Sequence, residues 1–313
     1  MYIGIDIGGT GTVAALISAD GRIMSKTAIQ TGDYPDAGLF VKALVENIII
    51  LSADYGGSGV IRGIGIGAPN GNYYSGSIED APNLRWKGNI PLVSLIGEHF
   101  AGIPVKLTND ANAAAIGEWT FGAARGMRDF IVITLGTGVG SGLFANGQLI
   151  YGHDGFAGEI GHAILYPEGR PCGCGRQGCV ETYASAGGLV KTGRELLAST
   201  DMDSVLRGLE TAVLSAKNIG EAAAMGDPVA MEALDQTAKH LALALSNAVC
   251  HTSPEAIILF GGLTKAGATF LTPLKQYFEA NLLPIYRNKI QLLVSSLPDE
   301  DAALLGAASL VMH

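Results

Sequence analysis

GEIGHAILYPEGRPCGCGRQGCVE, running from Gly158 to Glu181, is the stretch from which the rest of the chain can be read. Three of the four cysteines, Cys172, Cys174 and Cys179, fall within eight residues of one another, and His162 stands ten positions before the first of them. Three thiolates and one imidazole form a Cys₃His set of the kind that holds Zn²⁺ tetrahedrally. The glycines at 173, 175 and 178 allow the backbone angles that a chain wrapping closely round one ion requires. The alternative is a disulfide or a redox pair. A single residue separates Cys172 from Cys174, which is a poor spacing for disulfide geometry, so the pattern favours zinc. Four protein ligands leave no open position for water, which makes the site structural, and its work is to hold Glu159, His162 and Glu181 in fixed relation.

Glu-x-Gly-His followed by Cys-x-Cys-Gly-x-x-Gly-Cys-x-Glu resembles the signature of the ROK family (repressors, open reading frames and sugar kinases). The resemblance implies an α/β chain with the two-lobed actin-like ATPase (ribonuclease H-like) fold, mixed β-sheets flanked by helices and a cleft between the lobes. It places a smaller N-terminal lobe over residues 1–115, joined by the C-terminal helix at about 300–313, and a larger lobe with the zinc motif over 116–299. It implies an ATP-dependent hexose kinase acting on the 6-hydroxyl, with Mg²⁺ as partner of the nucleotide. Glucose is the first choice of sugar, ahead of N-acetylglucosamine, N-acetylmannosamine, mannose and fructose. Glu159, His162 and Glu181 are then the residues that bind ring hydroxyls. A homodimer or homotetramer is implied as well.

Composition agrees with this reading. A chain of 313 residues is too long for one ordinary core and suggests two lobes. With 48% hydrophobic residues, mean hydropathy +0.30 and 44 glycines it is a well-cored globular protein rich in tight turns. A net charge of −9 argues against a nucleic-acid partner, because such binding depends on basic contacts to phosphate. The apolar start is broken by Asp6 and glycines and lacks a basic leader, and no uninterrupted apolar run reaches the length of a membrane span. A cytoplasmic protein with reduced thiols is expected.

Along the chain, Tyr2 to Ile7 reads as a buried strand, and Asp6-Ile-Gly-Gly-Thr10 turns it into a second strand over Val13 to Ile17. Amides freed at Gly8, Gly9 and Thr10 can cradle phosphate oxygens, while Asp6 can hold a magnesium-bound water. The turn lacks the Gly-Lys-Ser/Thr of a Walker loop and resembles the first phosphate loop of the actin-like ATPases. Phe130 to Leu135 is an apolar strand leading into a second glycine-rich turn, Gly136-Thr137-Gly138-Val139-Gly140. Two such turns suit phosphoryl transfer, which is accomplished by positioning and charge neutralisation. A third turn, Gly261-Gly262 after the strand Ala256 to Phe260, approaches the adenosine in the family.

Between the phosphate turns lies Thr108-Asn109-Asp110-Ala111, where a strand passes into an alanine-rich helix. Asp110 at that junction is either a helix cap or a carboxylate placed to take a proton from a substrate hydroxyl. The ROK resemblance selects the second role, catalytic base, and gives Asn109 a hydrogen bond to the sugar. Family members often carry glycine where this chain has Asn70, and Asn83, in Ala-Pro-Asn-Leu, is either a rim contact or a residue that only shapes its loop. Helices are expected over Asp36 to Tyr55, with Leu39, Phe40, Ala43, Leu44, Ile48 and Leu51 at core spacing, over Ala184 to Leu197, over Asp227 to His251, and over Ala302 to Val311. Strands are expected over Val60 to Ile66 and Gln291 to Ser295. Cys250 reads as a buried small hydrophobe, and His240 and His251 as surface or helix-end residues. The competing function, a sugar-sensing repressor, calls for a helix-turn-helix before the first strand, whereas here the strand begins at Tyr2. A kinase-like protein without turnover fits poorly with Asp6 and Asp110 both in place.

Overall fold

The structure is a computed structural model and describes residues 1–209 and 213–312. Up to Met127 the elements are β1 (Tyr2–Ile7), β2 (Thr12–Ile17), β3 (Ile23–Ile29), α1 (Ala37–Ala53), β4 (Ile64–Ala68), β5 (Gly71–Asn72), β6 (Ser77–Glu79), β7 (Asn89–Ile90), α2 (Leu92–Gly97), β8 (Val105–Asn109) and α3 (Asp110–Thr120). Beyond it come β9 (Phe130–Leu135), β10 (Val139–Ala145), β11 (Gln148–Leu149), α4 (Glu181–Ala184), α5 (Ala186–Ser199), α6 (Ala216–Ala224), α7 (Pro228–Thr252), β12 (Ala256–Phe260), α8 (Ala268–Asn281), β13 (Gln291–Val294) and α9 (Asp299–Ser309). Backbone contacts divide the chain into two compact units. Unit 1 comprises Met1–Met127, Gly142–Gly158 and Ser295–His313, and unit 2 comprises Arg128–Ser141 and Glu159–Val294.

Unit 1 is built on a five-stranded sheet in the order β3-β2-β1-β4-β8. The first three strands are antiparallel, and β4 and β8 continue parallel to β1. Ile3, Ile5, Ile64 and Ile66 pack beneath α1, whose Phe40, Leu44 and Ile48 are fully enclosed. A core of branched aliphatics and aromatics stabilises by roughly 1.5–3 kcal/mol per large apolar side chain buried. Asp36 caps α1 by accepting from the Gly38 and Leu39 amides. Leu39, expected inside, is 56% exposed, because the inward stripe runs through Phe40, Val41, Leu44 and Val45 instead. The expected strand over Val60 to Ile66 begins only at Ile64, since Gly57–Val60 forms a 3₁₀ turn.

On the other face of the same sheet lies α9, against α3, β1 and β4. It comes so close that a Cβ on Gly65 would stand 1.8 Å from the Ala307 carbonyl oxygen, and one on Gly306 1.9 Å from that of Ala113. Only glycine permits backbone-to-backbone packing of this kind.

In unit 2, β12 runs parallel to β9 on one side and β13 on the other. Ile131, Val132, Ile133, Ile257, Ile258 and Leu259 are fully buried, the continuous apolar run that a strand covered on both faces needs. The helices include the long α7, which Asp227 caps and Pro228 starts, and which packs on α8 and α5. Cys250 is exposed on α7, not buried, because it falls outside the inward stripe that ends with Ala248 and Val249. His240 departs from expectation in the other direction: its ring packs on Tyr183 at 4.8 Å and on Tyr166 at 5.5 Å. Its Nδ1 is buried without a partner among the described residues. His251 is exposed in the last turn of α7.

Candidate active site and metal centre

In unit 1 the parallel register determines what meets at the sheet's edge. Asp6 pairs with Gly67 and Ala68 with Asn109, so β1, β4 and β8 deliver Asp6, Asn70 and the Asn109–Asp110 pair to one carboxyl edge. In α/β sheets that edge is where ligands are bound. Asn109 is the N-cap of α3, its side-chain oxygen accepting from the Ala111 amide at 2.8 Å. Asp110 is therefore the first residue of the helix and not its cap, although its Oδ1 also lies 2.8 Å from that amide. Asp110 reaches solvent, yet the protein packed round its carboxyl raises its pKa, against the lowering effect of the Ala111 amide. Asp6 is half-buried, and burial, with the Asp110 charge second, lifts it to about 6.

The turn after β1 is narrower as a donor than its sequence suggests. The Gly8 amide donates to the Gly11 carbonyl at 2.9 Å and closes the turn itself, leaving Gly9 and Thr10 at its apex. Asn70 has φ +50°, a left-handed conformation, and its side-chain Nδ2 donates to the Glu79 carbonyl at 2.9 Å. Glycine reaches that conformation without strain and asparagine tolerates it, which accounts for an Asn at a glycine position.

In unit 2 the zinc-type segment doubles back on itself. The Val180 amide donates to the Ala163 carbonyl at 2.9 Å and Ile164 bridges Cys179, so His162 and Glu181 become neighbours across nineteen residues of sequence. His162, Cys172, Cys174 and Cys179 place one ligand atom each within 4.8 Å of one another. Cys174 Sγ is 3.7 Å from Cys179 Sγ, and Cys172 Sγ 3.7 Å from His162 Nδ1. Bonds of about 2.3 Å to a tetrahedral ion give an edge of roughly 3.8 Å, so the donor set fits Zn²⁺. The same separations rule out a disulfide here, and all three thiols are free. The Arg176 amide and then its guanidinium draw the Cys174 thiol down to about 6, while burial pushes Cys179 up to about 12.

Glu181 begins α4 and accepts from the Val139 amide at 3.1 Å, with Oε1 4.0 Å from Cys172 Sγ. Glu159, exposed, precedes the short 3₁₀ turn Ile160–His162. Gly161 in that turn lies against β10: a Cβ there would stand 1.9 Å from the Val139 carbonyl oxygen. The glycine of Glu-x-Gly-His is thus a packing requirement, and it seats Glu159 and His162 beside the glycine turn. Within that turn the Gly140 amide is taken by the Thr134 hydroxyl at 3.1 Å, and the Gly136 carbonyl accepts from Ala186 at the head of α5 at 2.9 Å. Thr137 and Gly138 form the tip. Phe260 pairs with Thr134, so Gly261-Gly262 leaves the sheet at the same carboxyl edge as Gly136.

Sequence reasoning missed Arg170. Its guanidinium stands 4.6 Å over the Tyr183 ring and bonds the Thr182 and Gly188 carbonyls, Thr192 and Glu195, which pins the zinc-type segment to α5. A lone arginine between Pro and Gly carries no periodic signal that would have revealed this.

The ROK family profile matches residues 2–313. The chain belongs to the ROK family. It is 37% identical over 315 residues to a glucokinase of Halalkalibacterium halodurans, covering 99% of this chain and 94% of that protein. A ROK family glucokinase from Streptomyces griseus, solved in complex with glucose and AMPPNP, is 36% identical with TM-score 0.80 and is covered to 98% by 99% of this chain. A xylose repressor of Caldicellulosiruptor bescii is 32% identical over 255 residues, 80% of this chain and 63% of that protein. The observed α/β architecture is that of the ROK sugar kinases, as the signature implies. No helix among the described residues is long and apolar enough to cross a membrane.

Proposed function

We propose that this ROK protein is an ATP-dependent hexose kinase that converts glucose to glucose 6-phosphate. The observation that carries the reading is Asp110, a solvent-reaching carboxylate with a raised pKa at the head of α3, at the carboxyl edge shared with Asp6. A base of raised pKa is better matched to a neutral reaction than an ordinary carboxylate. Asp110 takes the proton of the 6-hydroxyl as the hydroxyl oxygen bonds to the γ-phosphorus and the bond from that phosphorus to ADP breaks, releasing ADP, and Asn109 orients the sugar. Glu159, His162 and Glu181 bind further hydroxyls, with His162 held through its place in the zinc set. Gly9 and Thr10 in unit 1, and Thr137 and Gly138 beside the positive N-terminus of α5 in unit 2, offer donors to the phosphates. Gly8, Gly136 and Gly140 shape those turns, and Gly261 and Gly262 accommodate the adenosine. Asp6 suits a Mg²⁺-bound water, and magnesium supplies charge neutralisation on the nucleotide when bound. Zn²⁺ held by His162, Cys172, Cys174 and Cys179 supplies rigidity and no chemistry. A homodimer and a place in carbohydrate breakdown complete the proposal.

The test is a coupled ADP-release assay over glucose, mannose, fructose, N-acetylglucosamine and N-acetylmannosamine. The highest kcat/KM is expected for glucose. Preference for an N-acetylhexosamine would keep the kinase and change its substrate, and no turnover with any sugar would return the repressor-like reading.

A further inference from the structure

The donor set that fits zinc leaves a surplus of negative charge at the centre. Three thiolates and a neutral imidazole around a divalent cation leave a net charge of about −1. Glu181, with Oε1 4.0 Å from Cys172 Sγ, adds to the surplus. A half-buried cluster of one sign is costly unless a cation meets it. Arg170 is engaged elsewhere, in its bonds to Glu195 and to backbone carbonyls.

Arg176 meets three of the four ligand residues. Its guanidinium donates to the His162 carbonyl oxygen at 2.8 Å. Its own carbonyl accepts from the Cys172 amide at 2.9 Å. The guanidinium also lies against the Cys174 thiol. A planar fork can hold a carbonyl and a thiolate at once, which a lysine ammonium cannot do with the same geometry. The family signature leaves this position open, so the motif alone does not assign it a role.

We propose that Arg176 is a positioning residue of the metal centre: it neutralises the surplus thiolate charge and holds the backbone of His162 so that the imidazole faces the three sulfurs. The inference rests on the zinc reading given above. Groups that hydrogen-bond to metal ligands typically carry 10–100-fold in metal affinity. Competition for Zn²⁺ between the full-length protein and a chromophoric chelator should therefore show a Kd about 10–100-fold weaker in Arg176→Gln, with Arg176→Lys in between. Excess Zn²⁺ should return the glucose KM of Arg176→Gln to that of the unsubstituted protein. Arg176 is exposed, so both variants are expected to keep the fold, which circular dichroism checks. Equal zinc affinity in all three proteins, or a raised KM that zinc does not restore, overturns the proposal. Absence of zinc binding in the unsubstituted protein overturns the zinc reading itself and is seen before any variant is made.

Discussion

At the scale of single residues, the two carboxylates of unit 1 give opposite expectations. Asp110→Asn keeps hydrogen bonding but cannot accept a proton, so kcat should fall by ~10²–10⁴-fold while calorimetry finds glucose binding largely intact. A variant keeping more than roughly a tenth of the original kcat would remove Asp110 from the base role. Asp6 bears on stability. Its folded pKa is raised from 3.8 to about 6, so its contribution to stability is full below the unfolded value and is lost as pH rises through 6. At neutral pH the ionised group is thus a liability that Asp6→Asn removes. The ligand-free variant should gain up to roughly 3 kcal/mol at pH 7.5 and about half as much at pH 5, read from denaturant midpoints, while losing turnover. A gain independent of pH would contradict the assignment. Asp110 was legible only through its neighbours: capping chemistry and catalysis ask for the same residue type at a strand-to-helix junction, and only the structure shows that Asn109 does the capping.

At the scale of elements, strands with apolar runs and helices with strong caps were readable. β1, β9, β12 and α7 fall where pattern and turn chemistry put them. What could not be read were features decided by the other side of a contact. The inward stripe of α1 takes in Phe40, Leu44, Ile48 and Leu51 as expected but adds Val41 and Val45 and leaves Leu39 outside. The bond pattern of the glycine turns, with Gly8 and Gly140 spent internally, depends on Gly11 and Thr134. Even the role of the glycine in Glu-x-Gly-His is visible only against Val139. The same holds for α9. Gly65→Ala places a methyl group into the Ala307 carbonyl and should cost about 1–3 kcal/mol by overpacking, with zinc content unchanged because the metal set lies in unit 2. An unaffected unfolding midpoint would mean that α9 shifts freely on the sheet.

At the scale of the whole molecule, the signature foretold the family from one segment, and the ROK profile extends over nearly all of the chain. Elemental analysis should find about one zinc per chain, and Cys174→Ser should lose it together with glucose affinity, since a coordinating thiolate contributes folding energy to the segment that carries Glu159 and Glu181. Protein prepared under mild conditions without stoichiometric metal would contradict the centre. If sugar and nucleotide favour one closed state, glucose must raise AMPPNP affinity by the factor by which AMPPNP raises that of glucose. Independent affinities by calorimetry, with no contraction in small-angle scattering, would describe a preformed site. The glycine-seated α9 has a consequence for synthesis. Unit 1 holds the first residues of the chain, yet α9, which covers one face of its sheet, is made only after all of unit 2. Domains tend to fold in the order in which they leave the ribosome. Here unit 2 can close first, while the strands of unit 1 that precede it in the chain wait, without α9 on one face of β1 and β4, for a helix translated after all of unit 2.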